Sequence, residues 1–304
     1  MKSTSPAVTR YHSWAQRARR ALYRGQRERV LECYQKALEA ARLTGNPVFE
    51  PRAFCDVSGA LIELGRYQEA EKGLREIILR SRDPRAVWQA TFNLAISLRR
   101  QGALERACRF AQRALEAARK LKQGRFLARS LNLLGNLHLV ESRFEQALVC
   151  YRKALKLYAG CSGDWRYSVS VIRDNVGYCL LLMGRHDEGL REIGEALAMA
   201  REISQPRVEA ECLQDRCYGL LKLRRLEEAD ESGRAALALA EPHQYRDLMV
   251  NCYYLMGEIQ HLRGDEAGRD QYFMKLQGLY PHLPFLRDFL CAFDVSGIIN
   301  LKTL

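Results

Sequence analysis

The motifs that would mark an enzyme are missing from this sequence of 304 residues. It has no P-loop, no G-x-G-x-x-G segment that leads into a helix, no G-x-S-x-G and no H-E-x-x-H. Those motifs supply the phosphate cradles, nucleophiles and metal ligands of common enzyme classes. The six histidines are also dispersed along the chain. We therefore expect a protein without enzymatic activity, catalytic residues or cofactors.

Paired cysteines and long apolar runs are missing as well. The ten cysteines are scattered, with no C-x-x-C pair and no histidine at ligand spacing beside them, which disfavours a zinc site and favours small core residues in a reducing compartment. No run of about 18 apolar residues occurs, and the first residues, MKSTSPAVTRYHSW, lack the apolar core of a signal peptide. The sequence therefore predicts a cytoplasmic protein with no metal site and no membrane span.

Lysine is scarce, because it makes up only ten of the 48 basic residues in a chain of net charge +12. The excess is therefore arginine, whose guanidinium group suits carboxylate and phosphate partners. Solvated helix faces explain such an excess, and so does a binding surface for an acidic peptide, a nucleic acid or an anionic membrane. The charge alone leaves these alternatives open.

A repeated pattern of small and large residues is what the chain does contain. In residues 130–158, Leu134 and Gly135 precede a turn, and Ala147 and Ala154 follow it. The same pattern occurs seven times, at intervals of 37 to 42 residues. Such a period indicates a repeat array. The small position after each turn is filled by Val30, Ala70, Ala107, Ala147, Gly189, Ala229 and Arg269.

The turn inside each copy has its own signature. Glycine stands five residues before the small position in five copies, and Ser142 and Arg224 stand there in the other two. Because helices commonly end on a left-handed residue, which carries no steric penalty in glycine, each of these positions is predicted to have a positive φ. The five glycines are Gly25, Gly65, Gly102, Gly184 and Gly264.

These residues resemble the tetratricopeptide repeat over residues 12–281. The long period is similar to that of LGN/Pins-type adaptors, kinesin light chains and bacterial regulators such as Rap proteins and the MalT sensor region. The resemblance implies an all-α, right-handed α-solenoid of about seven helical hairpins that binds proteins. Three arginines, Arg17, Arg216 and Arg269, depart from the pattern because they stand where leucine or alanine is expected.

The domain organisation follows from the repeat register. We expect a flexible N-terminus at residues 1–10, a solenoid at residues 11–281, and a capping helix with an apolar tail at residues 282–304. Phe285 and Phe289 are expected to cover the last hairpin, and the tail either folds back or docks on another chain. The predicted repeats are residues 11–46, 47–83, 84–123, 124–163, 164–205, 206–241 and 242–281.

Candidate binding residues come from the LGN-type resemblance. In those repeats an arginine near the start of the first helix, and asparagines one and two turns later, contact an acidic partner peptide. An asparagine amide can donate to and accept from an extended backbone, and arginine binds carboxylates. The alternative is that these asparagines bond within their own hairpins. The candidates are Arg52, Asn93, Arg129, Asn132, Asn136, Asn175, Tyr178 and Tyr218.

The resulting hypothesis is a scaffold that binds an extended or helical acidic peptide in a concave groove. A regulatory sensor that changes curvature on binding a peptide signal is the first alternative. A nucleic-acid-associated adaptor is the second, because seven arginines and one glutamate fall within residues 10–29. Trp14 occupies a core position of the first repeat, so we favour a polar cap there and rank nucleic acid lower. The sequence does not indicate an oligomeric state.

Overall fold

The computed structural model describes residues 5–23 and 25–292. Fifteen α-helices and no strand occur in these residues, which confirms the predicted all-α fold. The helices are α1 (Pro6–Tyr23), α2 (Arg27–Arg42), α3 (Phe49–Glu63), α4 (Tyr67–Arg80), α5 (Pro84–Arg100), α6 (Leu104–Lys120), α7 (Gly124–Val140), α8 (Phe144–Ala159), α9 (Arg166–Leu182), α10 (His186–Glu202), α11 (Pro206–Lys222), α12 (Leu226–Ala240), α13 (Arg246–Leu262), α14 (Glu266–Gly278) and α15 (Leu286–Ala292).

The first fourteen helices alternate as the first and second helices of seven hairpins. A second helix packs on the first helix of the next hairpin, as α2 does on α3 and α10 does on α11. First helices also contact each other, as in the pairs α3 and α5, α9 and α11, and α11 and α13. Contacts between nearest neighbours are what a repeat array requires, because a single hairpin cannot bury its own apolar face.

The hairpins form two compact units, Met1–Leu137 and His138–Leu304, and the division falls inside α7. In the first unit the side chains of Trp88, Leu74 and Leu94 are fully buried. In the second unit Tyr151 and Phe273 are fully buried. The sequence pattern predicts one array over residues 11–281 and gives no sign of this division.

Small residues let the two helices of a hairpin approach closely. A Cβ atom added at Gly177 of α9 would lie 2.8 Å from the backbone oxygen of Gly189 in α10, and one added at Gly189 would lie 2.8 Å from the oxygen of Gly177. Real Cβ atoms do not approach an oxygen so closely, so glycine is required on both helices. The small positions of the sequence pattern are therefore helix-crossing points.

Large side chains fill the space that other glycines leave. A Cβ atom at Gly257 of α13 would overlap the ring of Phe273 in α14. One at Gly233 of α12 would overlap the Sδ atom of Met256 in α13. Each of these glycines is therefore matched to one particular large neighbour.

The seven predicted turns all have left-handed backbone, which confirms the turn signature. The five glycines have φ angles between 68° and 77°, while Ser142 and Arg224 have φ angles of 56° and 58°. An L-residue in this region loses about 1 kcal/mol or more relative to its preferred conformation. The fourth and sixth turns are thus more strained than the others.

Replacing Arg224 by glycine is expected to stabilise the chain by about 0.5 to 1 kcal/mol. Glycine removes the left-handed strain from the folded state, and its greater freedom in the unfolded state offsets part of this gain. Gly184→Ala is the reverse experiment and should destabilise by about 1 kcal/mol. A Cβ atom there meets nothing within 4 Å, so only backbone strain contributes. Urea denaturation measures both changes. If Arg224→Ala stabilised as much as Arg224→Gly, the backbone explanation would be wrong.

The two ends of the described chain differ from the sequence expectation. Helix α1 begins at Pro6, so residues 6–10 are helical rather than flexible. Helix α15 packs on α14, and the backbone N–H of Arg287 donates to Oε1 of Gln277 at 3.1 Å. Phe285 and Phe289 are nevertheless 75% and 50% exposed, so the prediction that they cover the last hairpin is wrong for these rings. The predicted apolar tail lies outside the described residues from position 293 onward.

None of the helices in the described ranges is long and apolar enough to cross a lipid bilayer.

Candidate functional site

The first helices of the hairpins line one face of the first unit, which we call the first-helix face. Three buried aromatic rings on α5 and α7 form the base of this face, and we call them the aromatic floor. Trp88 and Phe92 of α5 stack with ring centroids 5.3 Å apart, and Phe126 of α7 lies 4.5 Å from Trp88. The indole N–H of Trp88 donates to Oγ of Ser130 at 2.9 Å. All three rings are at most 8% exposed, so this aromatic floor is a rigid part of the core.

Three arginines lie over the aromatic floor. The guanidinium carbon of Arg129 is 5.2 Å from the centroid of Trp88 and 5.0 Å from that of Phe92. Arg125 and Arg85 lie 4.8 Å and 5.8 Å from the centroid of Phe126. Cations at this range are attracted to the ring face. We call Arg85, Arg125 and Arg129 the arginine cluster.

The arginine cluster is short of negative charge. Burial and the like charges of Arg52 and Arg125 lower the pKa of Arg85. Because an arginine stays protonated at any ordinary pH, the lowered pKa means that the charged group is partly removed from water and lies near other positive charges. Within the described part of the chain, Arg85 forms no ion pair, and the Nε of Arg125 is buried without a hydrogen-bond partner. An added anion would therefore relieve both deficits.

Asp56 of α3 is the one acid among the charges that affect Arg85. Its Oδ1 accepts a 2.7 Å hydrogen bond from the amide of Gln89. Burial raises the pKa of Asp56, and the Gln89 hydrogen bond and the charges of Arg19, Arg85 and Arg129 oppose that shift only in part. Asp56 therefore neutralises at most one of the surrounding guanidinium groups.

Arg52 is engaged in a structural ion pair. Its Nε donates to Oδ2 of Asp83 at 2.6 Å, and its second terminal nitrogen donates to Oδ1 at 2.9 Å. Asp83 is the N-cap of α5, where it also accepts from the backbone N–H groups of Arg85 and Ala86. Arg52 thus fastens α3 to the start of α5, and its guanidinium is not available to a partner in this conformation.

Other candidates are buried. The amide of Asn93 on α5 donates to the backbone oxygen of Cys55 on α3 at 2.7 Å, so it bonds to the preceding hairpin rather than within its own. In the second unit, Tyr178 is 0% exposed, and its ring centroid lies 5.7 Å from that of Tyr218. Asn175 is 7% exposed. These four side chains pack within the helices and offer little surface to a partner.

The remaining three candidates lie on α7. Arg129 is exposed and belongs to the arginine cluster, while Asn132 and Asn136 are half-buried one and two turns further along. The structure thus brings Arg129 together with two residues that the sequence reasoning missed. The sequence does contain a pattern that could have identified these two residues. Arg85 and Arg125 each stand 22 residues before the small position that follows the turn of their repeat.

In the second unit, the arginine at the same register position has carboxylate partners. Arg207 donates to Asp247 at 2.5 Å and to Glu211 at 3.0 Å, and it lies 5.1 Å from the centroid of Tyr245. Arg246, which stands one position before this register position in the last repeat, donates to the backbone oxygen of Leu279. Stacking on an aromatic ring is therefore common to these arginines, whereas the lack of a protein acceptor distinguishes Arg85 and Arg125.

The Arg52–Asp83 ion pair makes a testable contribution to stability. Burial raises the pKa of Asp83, but the hydrogen bonds from Arg52 and the helix N-terminus outweigh this effect and hold it below the usual value. A lowered pKa means that the stabilisation is complete above about pH 4 and is lost as pH falls through the folded-state pKa.

Arg52→Ala is expected to cost about 1 to 2 kcal/mol of unfolding free energy at pH 7, and progressively less below about pH 4. In an Asp83→Ala background the same substitution should cost almost nothing, since its partner is gone. Denaturation of the four proteins across pH measures this coupling. Equal costs of Arg52→Ala in both backgrounds would show that the pair does not stabilise the fold.

Comparison with known proteins agrees with this architecture. Residues 89–159 match the family model described as tetratricopeptide repeat. Over 208 residues the chain is 28% identical to regulatory protein AfsR from Streptomyces griseus, covering 67% of this chain but 20% of that protein. The chain thus spans about a fifth of the length of that relative.

Two solved structures of Rap proteins have the same fold. One is a Rap protein complexed with competence and sporulation factor, with a TM-score of 0.70 at 14% identity over 94% of this chain and 79% of that one. The other is the Rap conjugation gene regulator of plasmid pLS20 with the Phr* peptide, with a TM-score of 0.67 at 17% identity over 97% and 81%. The resemblance to tetratricopeptide repeat proteins is therefore confirmed.

Proposed function

We propose that this chain is a non-enzymatic, peptide-binding repeat module, and that the first-helix face of its first unit holds an acidic protein segment. The observation that carries the proposal is the arginine cluster. Arg85 and Arg125 have no acceptor among the described residues, whereas Arg207, at the same register position in the second unit, bonds Glu211 and Asp247. A carboxylate supplied by a partner would complete the hydrogen bonding of the cluster.

The aromatic floor makes the cluster selective for planar anions. A guanidinium that lies over a ring keeps its N–H edge directed outward, and that edge matches a carboxylate in a bidentate arrangement. The buried rings of Trp88, Phe92 and Phe126 do not move to accommodate a ligand. Less side-chain entropy is therefore lost on binding than for arginines on an open surface.

Asn132 and Asn136 extend the proposed site along α7. They stand three and seven residues after Arg129, on the same side of the helix. An asparagine amide can hydrogen-bond an extended backbone without reading side chains. We propose that these two residues hold the partner's main chain while the arginine cluster holds its carboxylates.

A regulatory sensor is the second candidate. It is supported by the regulatory role in the name of the AfsR relative, and by the competence and sporulation factor and the Phr* peptide bound in the two Rap structures. In this version a peptide signal binds the same face and changes the curvature of the array. Small-angle X-ray scattering with and without an acidic peptide tests it, because a scaffold would keep its radius of gyration and a sensor would change it.

The ten cysteines, all of them unpaired and within the described ranges, support a reducing compartment, for which we propose the cytoplasm.

Charge reversal at the cluster should separate partner binding from folding. Arg129→Ala is expected to weaken binding of a fluorescein-labelled peptide rich in Asp and Glu by about 1 to 4 kcal/mol. Arg129→Glu should weaken it further, because it adds repulsion to the lost contact. A peptide with Asn and Gln in place of the acids should bind weakly to every form. Fluorescence anisotropy measures the affinities.

Arg106→Glu is the matched control, since Arg106 is an exposed arginine on α6 in the same unit and gives the same change in net charge. Its affinity for the acidic peptide should stay close to that of the wild type. If Arg106→Glu weakened binding as much as Arg129→Glu, only long-range charge would be involved. The proposed site would then be wrong.

A further inference from the structure

A second basic surface lies on the first hairpin. Residues 10–36 contain eight basic and two acidic residues, and α1 contains no acidic residue at all. Several of these basic side chains line an open depression between α1, α2 and the start of α4. We call it the basic depression, and its basic and aromatic lining residues are Trp14, Arg17, Arg20, Arg29, Lys36 and Arg66.

Three of these arginines are not bonded to an acid of the described residues, although the charge of Arg29 helps to lower the pKa of Glu32. Arg17, Arg20 and Arg29 are exposed and form no ion pair within the described ranges of the chain. The other two cations do have partners, because Lys36 bonds Glu32 at 2.5 Å and Arg66 bonds Glu69 at 2.6 Å. Because Glu28 and Glu32 are the acids that line the depression, its five cations still exceed its acids by three charges.

The basic depression is separate from the arginine cluster. Arg19, on another side of α1, is the residue of this helix whose charge affects Asp56 on the first-helix face. Arg17 and Arg20 instead line the depression together with residues of α2. Two basic surfaces thus lie on different sides of the first unit, and one acidic segment in the first site does not account for the second.

We propose that the basic depression binds the phosphodiester backbone of nucleic acid without reading its bases. Arg10, Trp14, Arg17 and Arg20 recur at three- and four-residue spacing, so they follow one side of α1 over about 15 Å. A linear row of guanidinium groups matches a linear row of phosphates, which release counterions when they are neutralised. This site is additional to the acidic-peptide site proposed above.

The environment of Trp14 explains why the bases are not read. The guanidinium carbon of Arg17 lies 4.5 Å from the indole centroid, and Nζ of Lys36 lies 4.8 Å from it. Cations therefore occupy positions over the ring that a stacking base would need. The indole instead fixes these two cations in place, and they contact phosphate oxygens, which carry no sequence information.

An anionic membrane fits the depression less well. Binding to a lipid surface requires an apolar side that enters the interface, usually with exposed aromatic or leucine side chains. On α1, Leu22 is the large apolar side chain that is exposed in the described residues, at 56%. The depression is also concave, so a flat bilayer could not reach arginines on both helices at once.

The test is the triple variant Arg17→Glu, Arg20→Glu, Arg29→Glu of the full chain. Binding to a fluorescein-labelled DNA duplex of about 20 base pairs is measured by anisotropy between about 50 and 200 mM NaCl. We expect the wild type to bind two unrelated sequences equally and to lose affinity steeply with salt. The triple variant should bind at least tenfold more weakly, with a salt slope smaller by about three.

The matched control reverses Arg106, Arg109 and Arg113 on α6, which gives the same change in net charge. It should retain the wild-type affinity for DNA to within a few fold. Thermal melting checks folding, and if the glutamate triple does not fold, the corresponding glutamine triple, Arg17→Gln, Arg20→Gln, Arg29→Gln, replaces it. The glutamate and glutamine triple variants should both still bind the acidic peptide. A failure of the proposed nucleic-acid site is therefore distinguishable from a failure of the proposed acidic-peptide site.

Several results would overturn this inference. They are no DNA binding at about 50 mM salt, equal loss of binding in the α6 control, and a strong preference for one of the two sequences. Vesicles that contain phosphatidylserine provide the membrane arm of the experiment. Binding to these vesicles that depends on Arg17, Arg20 and Arg29, without binding to DNA, would assign the depression to a lipid surface instead.

Discussion

The close approach of two helices within each hairpin is the constraint on which the rest of this structure depends. Between α9 and α10 it is so tight that neither Gly177 nor Gly189 has room for a single added methyl group. Such an approach fixes the separation of the helix axes, so neighbouring first helices come into contact side by side. In the first unit, Arg85 of α5 and Arg125 of α7 both lie near one phenylalanine ring, at 5.8 Å and 4.8 Å from the centroid of Phe126.

The arginines that stack on aromatic rings in this array fall into two groups. They differ in whether a carboxylate of the protein lies beside the guanidinium group. Arg207 stacks on Tyr245 and bonds two carboxylates, so it fastens adjacent repeats. Arg85 also stacks on a ring, but its nearest strong influences are other guanidinium groups. At this register position, a neighbouring acid of the next repeat therefore decides whether the arginine fastens two repeats together.

The sequence predicted the repeats and their turns well, because these depend on residues close together in the chain. Even the two non-glycine turns, at Ser142 and Arg224, were placed correctly. The candidate binding residues were harder to judge from the sequence, since their partners within the chain are distant. Arg52 is bonded to Asp83, 31 residues away, and Asn93 to Cys55, 38 residues away. No local pattern shows which arginine has found such a partner, so Arg85 and Arg125 were missed.

The paired fit of small and large residues also limits what can be exchanged between repeats. Gly257 is matched to the ring of Phe273, and Gly233 to the sulfur of Met256. An average of the seven repeats that set alanine at the small positions and kept an aromatic residue opposite would overlap sterically at α13. Small and large residues therefore have to be exchanged as matched pairs, within one hairpin for Gly257 and Phe273 and across two adjacent hairpins for Gly233 and Met256.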